Sequence, residues 1–281
     1  MKHIPVLLDS VMSAIGDIRD ARVIDATFGA GGYSRAFLGA GAFVTAFDRD
    51  VSVLDDAIAL QKEFGERFRF INEPFSNMCN LNEKFDAIVF DLGISSMQID
   101  TPERGFSFRF DAPLDMRMSN TGPTVFDMFS VWSVTDLTRI LRNFGDVGPA
   151  VAIANAIKQK MPRTTFELRD VIHNPRDVAP VFQALRIAVN DEFGEIERAL
   201  SCVPKLLNPG GRCICVTFHS IEDRIVKNTF RDWTRPVGDP KMPTIAQPEF
   251  ELLHAEKPSD AETESNPRAR SAHMRGVVKS Y

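Results

Sequence analysis

The chain has 281 residues, 44% of them apolar and 25% charged, with a formal net charge of -5. That length supports an ample core in one large domain, or one domain with an insertion. The acidic balance excludes general coating of nucleic acid, which needs a broad positive surface, but not an RNA met by local basic patches. From the amino terminus, Met1 to Val6 has neither a signal-peptide core nor an Arg/Ser-rich transit segment. Val6 to Ile15 is apolar-periodic and predicts a helix stopped by Gly16. Arg22 to Thr27 then reads as a short buried strand running into a glycine turn, with a helix from about Gly32.

In that turn Gly29 and Gly31 let the backbone bend sharply with no Cβ in the way, so a ligand can approach main-chain N–H groups. Phe43 to Phe47 is a second strand closed by Asp48, an acidic side chain placed to accept hydrogen bonds from a ribose. A dinucleotide fingerprint needs a third glycine where this chain has Ser34. A nucleoside cofactor without a pyrophosphate, such as S-adenosylmethionine, does not, and Asp25 is placed to hold its amino-acid end. An ordinary strand–turn–helix without a ligand stays open as the plain alternative.

Asp50 caps a helix over Val51 to Phe64, with Val51, Leu54, Ala57, Ile58 and Leu60 mainly on one apolar face. Arg67 to Ile71 is a third strand with Phe75 in the loop after it, and Phe85 to Phe90 is a fourth, ending at Asp91. Strands alternating with helices predict an α/β fold with a doubly wound, mostly parallel sheet, in which ligands bind beyond the carboxyl ends of the strands. Asp25, Gly31, Asp48, Phe75 and Asp91 all fall near such ends.

After Ser96 the rhythm breaks. Gln98 to Asn120 has no sustained period, and helical patterns follow over Val125–Trp132, Thr135–Asn143, Pro149–Lys160 and Thr165–Ile172, the last with a Thr164/Glu167 capping box. An all-helical insertion over residues 104–186 is expected, leaving 1–103 and 187–281 as the α/β domain. Asp191 to Leu207 reads as a helix kinked or broken at Pro204. Arg212 to Phe218 is a fifth strand with His219 and Ser220 at its end, and Ile221 to Trp233 is helical. A Pro-containing link follows, then candidate strands over Phe250–Leu253 and His273–Val278, with 256–267 the stretch expected to be disordered. No apolar run reaches the roughly 18 residues that cross a bilayer, so a cytoplasmic protein is expected. The cysteines, Cys79, Cys202, Cys213 and Cys215, form no C-x-x-C pair and read as small buried hydrophobes.

Taken together, Asp25-Ala-Thr-Phe-Gly-Ala-Gly-Gly32, Asp91-Leu-Gly-Ile-Ser-Ser96, Arg104-Gly-Phe-Ser-Phe108 and Pro113-Leu-Asp-Met-Arg-Met118 resemble the bacterial 16S ribosomal RNA cytosine-N4 methyltransferases. His3 to Leu8, Arg163 to Thr165, Phe182 to Asn190, Phe218 to Arg224 and Asn266 to Arg270 extend the resemblance nearly end to end. The resemblance implies a Rossmann-like class I methyltransferase fold with a helical insertion that recognises substrate. It also implies S-adenosylmethionine held by Gly31, Gly32, Tyr33, Asp48, Phe75, Asp91 and Gln98, and 16S ribosomal RNA within the small ribosomal subunit as partner. The family commonly has His where Tyr33 stands, and residues 174–180 depart from its pattern. Oligomeric state stays open, a homodimer included.

Methyl transfer to cytosine N4 needs nitrogen and methyl held in line, because the amine lone pair is delocalised into the ring. Acceptors for its two N–H groups would stabilise the developing positive charge, and Asp115, the Ser95/Ser96 turn and His219 are the candidates. Arg104, Arg109, Arg117, Arg163 and Arg186, with Arg268, Arg270, Arg275 and Lys279, form the candidate RNA footprint. Two other functions fit the same residues: a methyltransferase for a small molecule or protein with the insertion as lid, and a non-enzymatic RNA-binding factor.

Overall fold

The computed structural model describes residues 5–236 and 247–281. The start of the His3–Leu8 stretch and most of the Pro-containing link after Trp233 lie outside the described residues. Runs rich in Val, Ile and Phe form the strands β1 Arg22–Asp25, β2 Phe43–Phe47, β3 Phe68–Ile71, β4 Phe85–Asp91, β5 Leu207–Thr217, β6 Phe250–Leu252 and β7 His273–Lys279. They make one sheet in the order β3-β2-β1-β4-β5-β7-β6. The first five in that order pair in parallel, while β7 runs antiparallel to β5 and to β6. Val23, Ile24, Ile88, Ile214 and Val216 are fully buried, as a sheet covered on both faces requires. The chain winds outward from β1 to β3 and then returns to β4 on the other side of β1. The carboxyl ends of β1 and β4 therefore flank the point where strand order reverses, the crevice in which such sheets bind ligands.

The early helices are bounded near the predicted glycines, although the first starts at Leu8 rather than Val6. The first, α1 (Leu8–Ile15), ends at Gly16, and α2 (Gly32–Gly39) starts after Gly31. Asp50 does cap: its Oδ1 accepts the Ser52 N–H at 3.0 Å, but over a short 3-10 turn, Val51–Val53, before α3 (Leu54–Phe64). The buried face of this segment is Val53, Ala57 and Leu60, whereas Val51, Leu54 and Ile58 are exposed. Ala57 and Leu60 of the predicted stripe are thus buried as expected, while Val53, in the 3-10 turn, takes the place expected for Val51 and Leu54.

Contacts divide the chain into two compact units, Met1–Gly93 with Glu195–Tyr281, and Ile94–Gly194. The second unit is wider than the 104–186 range at both ends. Ile94 packs on its core, and Phe193 sets its ring edge-on to Phe144 with centroids 5.1 Å apart. Its helices are α4 (Ser96–Asp100), α5 (Val125–Val131), α6 (Val134–Gly145), α7 (Ala150–Lys160), α8 (Thr165–Asp170) and α9 (Pro175–Asn190). The 16-residue α9 was not predicted, and it carries two prolines, which disfavour a helix locally. Pro175 is tolerated as the first helical residue, and Pro180 is outweighed by a buried face of Val178, Val181, Phe182, Ala184, Leu185 and Ile187. At the end of α9 the buried Asn190 accepts the Met118 N–H and donates to Met116 O, both at 2.7 Å, fixing the unperiodic loop to a helix.

Beyond α9, α10 (Glu192–Leu206) continues through Pro204, and α11 (Ser220–Trp233) follows β5. Asn208 to Gly211 does not lie outside the sheet: β5 begins at Leu207 and carries these residues as a register shift opposite Phe85 and Ala87. The stretch expected to be disordered contains α12 (Asp260–Ser265), capped by Ser259. The cysteines are also corrected in part. Cys213 and Cys215 are buried and free, but Cys79 and Cys202 form a disulfide with Cα atoms 5.4 Å apart.

Candidate functional site

In the first unit, β1 ends in a turn whose shape is set by Gly29 (φ +52°) and Gly31 (φ +74°). Both angles are left-handed, where side chains other than glycine are strained. Asp25, at the end of β1, is completely buried and accepts the Ser34 hydroxyl at 2.6 Å and the Thr27 N–H at 3.2 Å. Burial pushes its carboxyl up to about 6 against the pull of those hydrogen bonds. Ser34, at the position where a dinucleotide fingerprint carries its third glycine, uses its hydroxyl to hold this carboxylate instead.

Around the switch point the carboxyl ends of β2, β1 and β4 are joined by side chains. Asp48 Oδ2 accepts the Gly29 N–H at 2.9 Å and its Oδ1 accepts the Asp50 N–H at 2.9 Å. Burial raises the Asp48 carboxyl, and the two N–H groups pull it back. On the other side of β1, the Asp91 N–H donates to Thr27 Oγ1 at 2.7 Å. Asp91 Oδ1 is buried and has no hydrogen-bond partner among the described residues. Burial drives its carboxyl well above the usual range, and the charges of Asp25 and Glu222 add to that. A buried acceptor left open in this way favours a cationic or N–H-bearing ligand. Phe75 begins a 3-10 turn after β3, its ring edge-on to Phe90 of β4 with centroids 5.7 Å apart.

Gly31, Gly32, Asp48, Phe75 and Asp91 thus stand on neighbouring strand ends of one rim, and Tyr33 begins α2 beside them. The Tyr33 side chain is turned into the core, where its hydroxyl donates to Val6 O. His219 stands at the end of β5 as the cap of α11: its Nδ1 accepts the Glu222 N–H at 3.4 Å. Its Nε2 lies 2.9 Å from Glu222 Oε1, and Glu222 Oε2 accepts the Phe218 N–H at 2.9 Å. Glu222 is 1% exposed, so this is a buried carboxylate–imidazole pair. Sequence reasoning missed Thr27, Ser34 and Glu222. The signal available for Glu222 was its place three residues after a helix-capping His219, where a carboxylate reaches back toward the cap.

The remaining candidates belong to the second unit. Ser95 and Gln98 form a capping box at the start of α4, with the Ser95 N–H donating to Gln98 Oε1 at 3.2 Å and the Gln98 N–H to Ser95 Oγ at 3.3 Å. Asp115 is gripped by Arg117 through two 2.7 Å hydrogen bonds, which hold its carboxyl below the usual range although burial opposes this. Thr164 caps α8 by accepting the Glu167 N–H at 3.3 Å, but the Glu167 carboxylate accepts from Arg163 N at 2.7 Å rather than from Thr164, so the predicted reciprocal box is half made.

The basic residues divide sharply. Arg275 is locked bidentate onto Asp223 at 2.7 and 2.8 Å, Arg186 onto Glu192 at 2.7 and 3.0 Å, and Lys279 donates to Pro204 O at 2.6 Å. Arg104 donates to Arg117 O at 2.8 Å and to Met118 O at 3.2 Å. These four, with Arg117, hold the fold together, which removes much of the cationic footprint expected from sequence. Arg109, Arg268 and Arg270 are exposed. Among the described residues no cluster of His, Cys, Asp and Glu suits a metal, and no helix is long and apolar enough to cross a membrane.

The rim therefore combines a glycine turn, buried carboxylates and an aromatic face, a set suited to a positively charged nucleoside ligand. The small-subunit ribosomal RNA methyltransferase H of Rhizobium etli is 42% identical over 303 aligned residues, covering 100% of this chain and 88% of its own. The protein of that name from Chelativorans sp. is 44% identical, covering 99% of this chain and 87% of its own. A solved rRNA methylase from Streptococcus thermophilus aligns with 100% of this chain and 99% of its own at a TM-score of 0.47 and 13% identity. Residues 1–280 match the MraW methylase family, and this chain belongs to it.

Proposed function

We propose that this protein transfers a methyl group from S-adenosylmethionine to the N4 amine of a cytidine in 16S ribosomal RNA of the small ribosomal subunit. The observation that carries the proposal is the single rim built by the Gly29–Gly31 turn, Asp48, Phe75 and Asp91, in a chain of a methylase family. The name that relatives share, a small-subunit ribosomal RNA methyltransferase, supports the substrate class.

The residues fit that donor. S-adenosylmethionine supplies an electrophilic methyl group on a positively charged sulfur. The open Asp91 Oδ1 offers an acceptor to its cationic amino-acid end, and the Asp48 carboxylate has lone pairs left for ribose hydroxyls. Phe75 offers a ring for adenine, and the Gly32 and Tyr33 N–H groups begin a helix whose positive end favours the donor's carboxylate, while the Gly31 N–H closes the turn on Phe28 O at 2.8 Å. Gln98, whose Oε1 caps its own helix, is the remaining proposed contact to the donor.

The helical unit, centred on residues 104–186, would present the RNA, with the cytosine splayed out of its stack. Ser95, Asp115 and His219 are the proposed partners of the N4 amine. Asp115 would have to share its oxygens with Arg117, and His219 can pass a proton only through Nε2 and Glu222 while its Nδ1 caps α11. The cytoplasm, where ribosomes are assembled, is the proposed location.

Radiolabelled methyl transfer tests the proposal. Small subunits lacking the modification are expected to accept label in one cytidine, with free nucleosides and protein fractions inert. Label in protein or in a small molecule, with none in small subunits, would overturn it.

A further inference from the structure

Pro5, in the segment Pro5–Leu7, packs against Gly32 of the glycine turn. A Cβ at Gly32 would lie 2.4 Å from Pro5 Cγ, so the turn and the segment are in the closest contact the backbone permits. Val6 and Leu7 are 4% and 2% exposed. Leu7 adopts a left-handed conformation (φ 56°, ψ 28°), which is strained for a branched side chain and persists only where surrounding contacts impose it.

Two side chains impose it. The Tyr33 hydroxyl donates to Val6 O, and the Leu7 N–H donates to Glu262 Oε1 of α12 at 2.6 Å. The Tyr33 ring stacks at a tilt on Phe37, centroids 5.8 Å apart, inside α2. The same short stretch thus sends Ser34 to Asp25 and Tyr33 to the amino-terminal segment.

We propose that Tyr33 and Glu262 are positioning residues for methyl-donor binding: they clamp Pro5–Leu7 against the Gly31–Gly32 turn and so fix the direction of the Gly32 and Tyr33 N–H groups. This rests on the reading of that turn as part of the donor site. Tyr33 then acts through Val6 rather than by touching the donor with its side chain. Loss of either clamp frees Leu7 to leave its strained conformation, and the turn loses its backing.

Binding of S-adenosylhomocysteine to the full chain, measured by calorimetry well below the unfolding temperature, tests the clamp. Tyr33→Phe and Glu262→Leu are each expected to weaken binding about tenfold. Glu262→Gln keeps an oxygen for the Leu7 N–H and is expected to bind like the parent. Hydrogen exchange at the Leu7 amide is expected to slow on adding the ligand in the parent protein and to change little in Tyr33→Phe. Asp48→Ala serves as the reference for the site itself. If Asp48→Ala binds weakly while Tyr33→Phe and Glu262→Leu bind normally, the clamp is structural only and the inference fails. If all three bind normally, the turn is not the donor site. Should Tyr33→Phe fail to fold, the Glu262 pair decides: equal affinities for Leu and Gln overturn the clamp.

Discussion

Asp48 Oδ2 accepts the Gly29 N–H at 2.9 Å, so the side chain closing β2 also holds the glycine turn that follows β1. One carboxylate therefore shapes the turn and keeps lone pairs for a ligand. Replacement by Ala removes both contributions. Asp48→Ala is expected to weaken binding of S-adenosylhomocysteine tenfold or more, about 1.4 kcal/mol or above, in a protein that still folds. Calorimetry checks this, and unchanged affinity would remove Asp48 from the site.

Asp25 makes a prediction about pH. Its carboxyl rises from 3.8 to about 6 on folding, chiefly because it is buried. The native state therefore holds a proton that the unfolded chain releases between those values. Stability from this group is complete below about pH 4 and is lost as pH rises toward 6, by about 3 kcal/mol. Asp91, raised by burial as well, adds in the same direction. Urea unfolding of Asp25→Asn at a series of pH values is expected to show a shallower fall across pH 4–6 than the parent; identical slopes would mean the buried carboxyl is not the cause.

The Asp223–Arg275 pair ties α11 to β7 with two charge-assisted hydrogen bonds. Burial of Asp223 works against ionisation, yet Arg275 holds the carboxyl below its usual range. The stabilisation is present above the ordinary carboxylate pKa and is lost as pH falls through the depressed value. Arg275→Ala is expected to cost about 2 kcal/mol at neutral pH and less in acid. A double-mutant cycle with Asp223→Ala should give a coupling of about 1 kcal/mol or more, and additive effects would show that the pair contributes nothing specific.

For the cysteines, alkylation in denaturant without reductant is expected to label Cys213 and Cys215 alone, and reduction should expose Cys79 and Cys202 as well. The bridge closes a loop of 123 residues, for which chain entropy gives a stabilisation of roughly 5 kcal/mol. Reduction is thus expected to lower the unfolding midpoint in urea. Four labelled cysteines before reduction would show that the pair is not bonded.

Much of this was legible in the residues. The strand ends were readable because apolar runs such as Val23-Ile24 and Ile88-Val89 are bounded by Asp25 and Asp91, and those boundaries are where the rim lies. The helix over Pro175–Asn190 was not readable, because two prolines weigh against it locally while its compensation is burial of Phe182 and Leu185 against partners distant in sequence. The short α4 was equally hidden, since five residues are too few to show a period. Its capping pair, Ser95 and Gln98, was visible but drew attention as chemistry.

The sequence alone determined where the strands lie along the chain, the glycine turn with its flanking acids, and a family likeness carried by long motifs. Those depend on local periodicity and on residue types that only certain backbones accept. The tertiary structure decided which charges are paired inside the fold. Arg117, Arg186 and Arg275 look alike in a sequence as candidate RNA contacts, yet each faces a carboxylate within 3.0 Å. It also decided that Tyr33 points at Val6 and that Cys79 meets Cys202, pairings across 27 and 123 positions. Such partners are chosen by how the layers pack, and no local pattern records them.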